Sequence, residues 1–139
     1  MTDIQFFAAR NEDVLAYGPG SPERAALQDA LREQASRIQD IPLVIGGRHI
    51  PTSQRADVVA PHRHRQVLAR VSQASAEQAQ QAIDAAIAAR EAWAATPLEE
   101  RAAVFLRAAD LLAGTWRQRL NAATMLGQGK TAQQAEIDS

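Results

Sequence analysis

The 139-residue sequence contains no cysteine. This excludes disulfides, thiolate metal sites and a cysteine nucleophile from the chain. Aromatic residues are scarce at 4%, and alanine supplies much of the apolar content, so each buried side chain removes little area from water. Neither sign of charge dominates: 15 basic against 16 acidic side chains leave −1, which gives no electrostatic case for nucleic acid or an anionic membrane. No apolar run approaches the length of a membrane span. The opening Met1-Thr2-Asp3-Ile4-Gln5 has neither a basic-then-apolar signal nor an arginine-rich presequence, so a cytoplasmic protein is the expectation.

What the chain does have is 46% hydrophobic residues, enough for a globular reading, and a patterned second half. Thr96-Pro97-Leu98-Glu99 reads as a capping box with proline at the first helical position. Behind it Leu98, Ala102, Phe105, Leu106, Ala109 and Leu112 recur at steps of three and four and form one apolar stripe, ending at Gly114. Ser75 with Gln78 caps a preceding helix with Ala79, Ile83, Ala86, Ile87 and Trp93 on its apolar side. Thr115 with Gln118 predicts a further helix with Trp116, Leu120 and Ala123 on one side, and Gly127 and Gly129 breaking it. Thr131 with Gln134 starts another, and the sequence stops nine residues into that pattern, which predicts a truncated chain.

The first half is different. Phe6, Phe7, Val14, Leu15 and Tyr17 are apolar without period, and Gly18-Pro19-Gly20 signals a turn. Ser21-Pro22 opens a helix whose buried side is Leu27, Leu31 and Ile38, and which Pro42 stops from running further. Leu43-Val44-Ile45, Gly46-Gly47 and Arg48-His49-Ile50 read as a hairpin that Pro51 ends. Asp57 to Ala60 and Gln66 to Val71 are two more strands, joined by the polar turn Pro61 to Arg65, with Val67, Ala69 and Val71 alternating. Residues 42–72 are thus expected to be a small antiparallel β unit. The expected organisation is a lead and first helix over 1–40, the β unit over 41–74 and a helical region over 75–139.

Side chains with possible chemistry each have a plainer explanation. Gly127-Gln128-Gly129-Lys130-Thr131 looks like the end of a phosphate-binding loop, but Thr124 stands where the motif needs glycine, and a helix pattern precedes it instead of a strand. It reads as a helix–helix corner. His62 and His64 sit among Arg63 and Arg65 with no carboxylate cluster nearby, as in a solvated turn, and His49 is a strand-edge residue. Glu136 and Asp138, two apart, point different ways on a helix. Glu99 and Glu100 suit a helix start, Arg90 reaches to water, and Trp93 and Trp116 read as core. No catalytic, cofactor-binding or metal-ligating residue is assigned.

The order of these segments resembles the N-terminal part of an aldehyde dehydrogenase. The residues concerned are Ile45-Gly46-Gly47, the Pro61 turn, Val67-Leu68-Ala69-Arg70-Val71, Trp93, Pro97-Leu98-Glu99-Glu100-Arg101, Ala108-Ala109-Asp110-Leu111-Leu112 and Gly129-Lys130. Asn11-Glu12, Tyr17, Pro19 to Arg24, Leu120 to Gln128 and Lys130 to Asp138 are similar to the glutamate semialdehyde (1-pyrroline-5-carboxylate) dehydrogenase branch. The resemblance implies an α/β parent fold, NAD as cofactor, proline catabolism as context and a homo-oligomer for the full enzyme. It also implies a cysteine thiolate that attacks the aldehyde, hydride transfer to NAD, an asparagine amide at the oxyanion, and a glutamate-activated water that hydrolyses the thioester. The family's cysteine, glutamate, asparagine and nucleotide-binding strands lie beyond the equivalent of Ser139, so none is carried over to a position here. The expectation is an N-terminal fragment, inactive and without bound NAD when alone, whose partner is the remainder of such a chain. The alternative is a stand-alone helical interaction module without catalysis.

Overall fold

A computed structural model describes residues 12–138; Met1 to Asn11, including Phe6 and Phe7, and Ser139 lie outside the described residues. The order is α1 (Pro22–Ala35), β1 (Gln39–Ile41), β2 (Leu43–Ile45), β3 (Arg48–Ile50), β4 (Arg55–Ala60), β5 (Arg63–Ser72), α2 (Ala76–Ala95), α3 (Leu98–Ala113), α4 (Arg117–Gln128) and α5 (Ala132–Asp138).

Helix α1 starts as expected: Ser21 is extended and its Oγ accepts the Arg24 N–H at 3.3 Å, with Pro22 at the first position. It stops well short of Pro42. The Ser36 N–H and hydroxyl both donate back into the last turn, the hydroxyl to the Glu33 carbonyl at 2.7 Å. Ile38 therefore lies past the helix and is exposed, which corrects its expected place on the buried side. The residue before a proline is pushed to extended geometry, and here Gln39–Ile41 becomes a strand.

That strand changes the β region from one antiparallel unit over 42–72 to two sheets. β1 pairs in parallel with β5, Asp40 opposite Arg70, and β4 pairs antiparallel on the other side of β5, giving the order β1-β5-β4. The β2–β3 hairpin is separate, turning on Gly46 and Gly47 at φ +56° and +74°. The turn between β4 and β5 is only Pro61-His62, so β5 reaches ten residues. Two register shifts around Val59 bend β4 against it.

The core lies where α1 meets α4. Tyr17, Leu27 and Ala122 are buried there, with Leu15, Leu31, Met125 and Ala132 packed around them. Gln34 of α1 donates to the Arg119 carbonyl of α4 at 2.7 Å. The buried face of α4 is Asn121 and Ala122; Trp116 is exposed, against expectation, Ala123 is exposed too, and Leu120 is half-buried.

Two expected caps are absent. The Thr96 hydroxyl donates to the Ala92 carbonyl at 2.9 Å and closes α2, so it does not cap α3; Pro97 holds that position without a side-chain hydrogen bond. Thr115 sits in a backbone turn in which the Trp116 N–H reaches the Leu111 carbonyl at 3.0 Å, and Trp116 precedes α4. The Ser75–Gln78 and Thr131–Gln134 boxes both form, with backbone N–H to glutamine Oε1 distances of 2.9 Å in each. Gly114 ends α3, and Gly129, at φ +67°, ends α4; Gly127 lies inside that helix instead of breaking it.

Candidate functional site

The concentrated chemistry of the described residues is a buried polar knot around Glu136. α5 carries Glu136, α4 carries Arg117, Gln118 and Asn121, and the segment before α1 brings Leu15 and Tyr17. Each element is placed by something local: the Thr131–Gln134 box starts α5, Gly129 aims the corner, and the turn at Gly18, whose carbonyl accepts the Ser21 N–H at 3.1 Å, returns the lead segment.

The Glu136 carboxylate is fully acceptor-paired. Oε1 accepts the Leu15 N–H at 2.8 Å and the Arg117 guanidinium. Oε2 accepts the Tyr17 hydroxyl at 2.5 Å, Asn121 Nδ2 at 2.7 Å and Arg117 Nε at 3.4 Å. Arg117 also donates to the Asp13 carbonyl at 2.5 Å. Asn121 Nδ2 donates to the Tyr17 oxygen at 2.8 Å as well. Gln118 stands 3.0 Å from the same oxygen. Tyr17 has one hydroxyl proton, and the charged, closer Glu136 takes it; Gln118 satisfies its contact when its amide turns its nitrogen to Tyr17. The Glu136 side chain is 1% exposed and that of Arg117 15%.

Burial pushes the Glu136 carboxyl up, but the bonds from Arg117, Tyr17, Leu15 and Asn121 together outweigh it and hold it at about 2. Burial, then the bond to Glu136, raises the Tyr17 phenol. The bond to Glu136 raises Arg117. A carboxylate that holds its proton so weakly is no general base near neutral pH, and a phenol pushed upward keeps its proton there. The arrangement fastens three segments together. Tyr17 is further held at φ +51°, a left-handed conformation that costs a side-chain-bearing residue about 1–2 kcal/mol.

Sequence reasoning passed over this knot. The spacing relates Glu136 only to Asp138, and the structure sends the two apart, Asp138 pairing with Lys130. The signal lay in types out of place: Asn121 on an apolar helix face and Tyr17 beside the glycine turn.

The other groups stay separate. The corner between α4 and α5 begins only at Gly129, since Gly127 and Gln128 belong to α4, and its Lys130 is engaged by Asp138. His62, Arg63, His64 and Arg65 are exposed, and His64 Nε2 lies 2.9 Å from the Pro61 carbonyl. Among the described residues no group of three or more His, Asp or Glu side chains could hold a metal ion. His49, Arg90, Glu99 and Glu100 are exposed. Trp93 and Trp116 are each 45% exposed, which corrects their expected place in the core; Trp116 carries the Arg119 guanidinium 5.0 Å from its ring centre. Among the described residues no helix is long and apolar enough to cross a membrane.

The profile of the aldehyde dehydrogenase family matches residues 49–139. The chain belongs to that family. It is 46% identical over 129 residues to the human mitochondrial delta-1-pyrroline-5-carboxylate dehydrogenase, covering 93% of this chain and 23% of the relative. Against the Agaricus bisporus delta-1-pyrroline-5-carboxylate dehydrogenase it is 45% identical over 130 residues, 93% of this chain and 24% of the relative. The fold agrees with the Mycobacterium tuberculosis delta-pyrroline-5-carboxylate dehydrogenase solved with NAD at a TM-score of 0.93 and 51% identity, over 99% of this chain and 26% of that one. For a Thermus 1-pyrroline-5-carboxylate dehydrogenase with bound NAD the values are 0.88 and 28%, over 97% and 26%. This aldehyde dehydrogenase chain thus has the α/β parent fold expected of it and spans about a quarter of the length of these relatives.

Proposed function

We propose that these residues are the scaffold segment of an NAD-dependent dehydrogenase that oxidises glutamate semialdehyde, in equilibrium with 1-pyrroline-5-carboxylate, to glutamate. The observation that carries this is the 46% identity to a relative of that name over 93% of the chain. The segment's part is architectural. The Glu136 knot fixes the lead segment and α5 on α4, and the three-stranded sheet stands beside α4.

By itself this segment oxidises no aldehyde and holds no NAD. A chain without cysteine supplies no thiolate. The described residues do not fit a dinucleotide either. β5 leads into α2 through Gln73, Ala74 and Ser75, none of them glycine, so no backbone is free to approach a pyrophosphate closely. The Gly129–Lys130 corner follows a helix, and its lysine is already paired.

The test is a graft. These residues replace the matching segment of the Mycobacterium tuberculosis enzyme, and NADH formation from 1-pyrroline-5-carboxylate is followed. The graft is expected to turn over this substrate in preference to acetaldehyde, and the separate 139-residue chain to turn over neither. A folded graft with no preference for 1-pyrroline-5-carboxylate, or turnover by the separate chain, overturns the reading.

A further inference from the structure

The three-stranded sheet gathers charge on one face. Between β4 and β5, Arg55 stands opposite Ser72 and Asp57 opposite Arg70; from β1, Asp40 stands opposite Arg70. Directly paired residues point to the same side of a sheet, and residues two apart on a strand share it. The two arginines on this face are held unequally. Arg55 Nε donates to the Thr52 carbonyl at 3.1 Å and its Nη1 to Asp40 Oδ1 at 2.9 Å. Arg70 Nε lies 3.7 Å from Asp57 Oδ1, longer than a hydrogen bond, and among the described residues no acceptor meets its Nη groups.

A cavity of about 320 Å³ opens beside them, bounded by Asp40, Arg55, Arg70 and Ser72 of the sheet and by His49 of β3. Pro42 and Pro51 give it apolar sides. Ser72 is 6% exposed; its Oγ accepts the Thr52 N–H at 3.3 Å, and among the described residues nothing accepts its hydroxyl proton. His49 offers a ring N–H in either tautomer. Two guanidinium groups against one carboxylate leave the lining positive before His49 is counted. Donors thus outnumber acceptors around the cavity, and the one acidic group there is already taken by Arg55. What completes such a set is an anion with several oxygens, which a guanidinium binds through two parallel N–H groups.

We propose that this cavity binds a small oxyanion, a phosphate or carboxylate group held by Arg70 and the Ser72 hydroxyl with His49 as a third donor. Arg55 is a positioning residue: by holding Asp40 it keeps that carboxylate off Arg70, its partner in register. The site uses no catalytic group and stands independently of the dehydrogenase reading.

The experiment titrates inorganic phosphate into the isotope-labelled 139-residue chain at constant ionic strength, exchanging it for chloride, and follows amide and arginine Nε–H resonances. Saturating shifts are expected at His49, Arg70 and Ser72, with Arg63 and Arg65, exposed at the start of β5, unmoved. Arg70→Gln is expected to weaken binding about tenfold, and Ser72→Ala several-fold. Arg55→Gln is expected to weaken it by freeing Asp40, and Asp40→Asn to tighten it, an opposition that simple screening of positive charge does not produce. Shifts that never saturate, or that appear equally at Arg63 and Arg65, mean an adventitious ion only and overturn the proposal. Unchanged affinity in Arg70→Gln overturns it as well. Glutamate is titrated in the same way. Saturation by phosphate alone or by glutamate alone assigns the group that binds, and saturation by neither overturns the site. Should the separate chain give no dispersed spectrum, calorimetry of the graft beside its Arg70→Gln variant makes the same comparison, and equal affinities there overturn the proposal.

Discussion

The Tyr17 hydroxyl donates to Glu136 Oε2 at 2.5 Å across 119 residues of sequence, so one hydrogen bond ties the lead segment to the last helix described. Removing the hydroxyl leaves Asn121 Nδ2 one acceptor fewer and Glu136 one donor fewer. Tyr17→Phe is expected to cost about 1–3 kcal/mol. Urea unfolding of the graft measures it, and an unchanged midpoint removes Tyr17 from the knot.

Substitution at Glu136 goes deeper. Glu136→Gln keeps the shape but strips the carboxylate that Arg117 pairs with inside the knot. Breaking a buried ion pair on one side costs about 3–5 kcal/mol, because the other charge is left desolvated. The double variant Arg117→Met with Glu136→Gln is expected to recover part of that loss. Additive losses in this double-mutant cycle would show that the two side chains are not coupled.

The same carboxylate is expected to set the acid limit of stability. Its folded value of about 2 lies below the ordinary 4.5, so its contribution is present in full above pH 4.5 and is lost as pH falls from there toward 2. The difference corresponds to about 3 kcal/mol. Tyr17 acts at the other end: its folded value is raised above 10.0, so the neutral phenol's contribution holds below pH 10.0 and is lost as pH rises beyond it. Stability against urea should be level between roughly pH 5 and 9 and fall on both sides. Glu136→Gln should flatten the acid limb only; if the limb keeps its slope, other carboxylates set it.

Several elements with local causes were legible in the sequence, though the equally local Thr96 and Thr115 caps do not form. The Ser21-Pro22 start, the Gly46-Gly47 hairpin and the Ser75 and Thr131 boxes need only neighbours within four residues, and each forms as read. β1 was not legible, because three residues give no alternation and its partner is 30 residues away, Gln39 opposite Ala69. The Glu136 knot was hidden for the same reason: its members come from three separated stretches, and no spacing rule joins Tyr17 to Asn121. Exposure of Trp93 was missed because a stripe shows which face is apolar, not what lies against it.

Gly127 and Gly129 look alike in sequence and differ in the structure. Gly129 sits at φ +67°, and a Cβ there would meet Pro61 Cγ at 3.3 Å. Gly129→Ala is expected to cost about 1–2 kcal/mol from the backbone alone, with the proline contact adding to it. Gly127 is helical with nothing within 4 Å of a Cβ, so Gly127→Ala is expected to stabilise by about 0.5–1 kcal/mol. Thermal melts of the two variants should move in opposite directions, and movement in the same direction contradicts the assignment of Gly129 as the helix end.

Ser75 and Thr96 both head capping-box patterns in the sequence, and the structure uses them differently. Ser75 Oγ accepts the Gln78 N–H at 3.2 Å while Gln78 Oε1 accepts the Ser75 N–H at 2.9 Å, so two otherwise orphaned donors at the start of α2 are satisfied. Ser75→Ala removes the first of these and should cost about 1 kcal/mol. The Thr96 hydroxyl instead donates to a carbonyl at the end of α2, one that already accepts the Thr96 N–H at 3.1 Å. Losing this donor orphans nothing, and valine keeps the shape at an extended backbone, so Thr96→Val should change stability by less than about 0.5 kcal/mol. If Thr96→Val cost as much as Ser75→Ala, the hydroxyl would have to serve α3, and the joint between α2 and α3 would carry a side-chain cap after all.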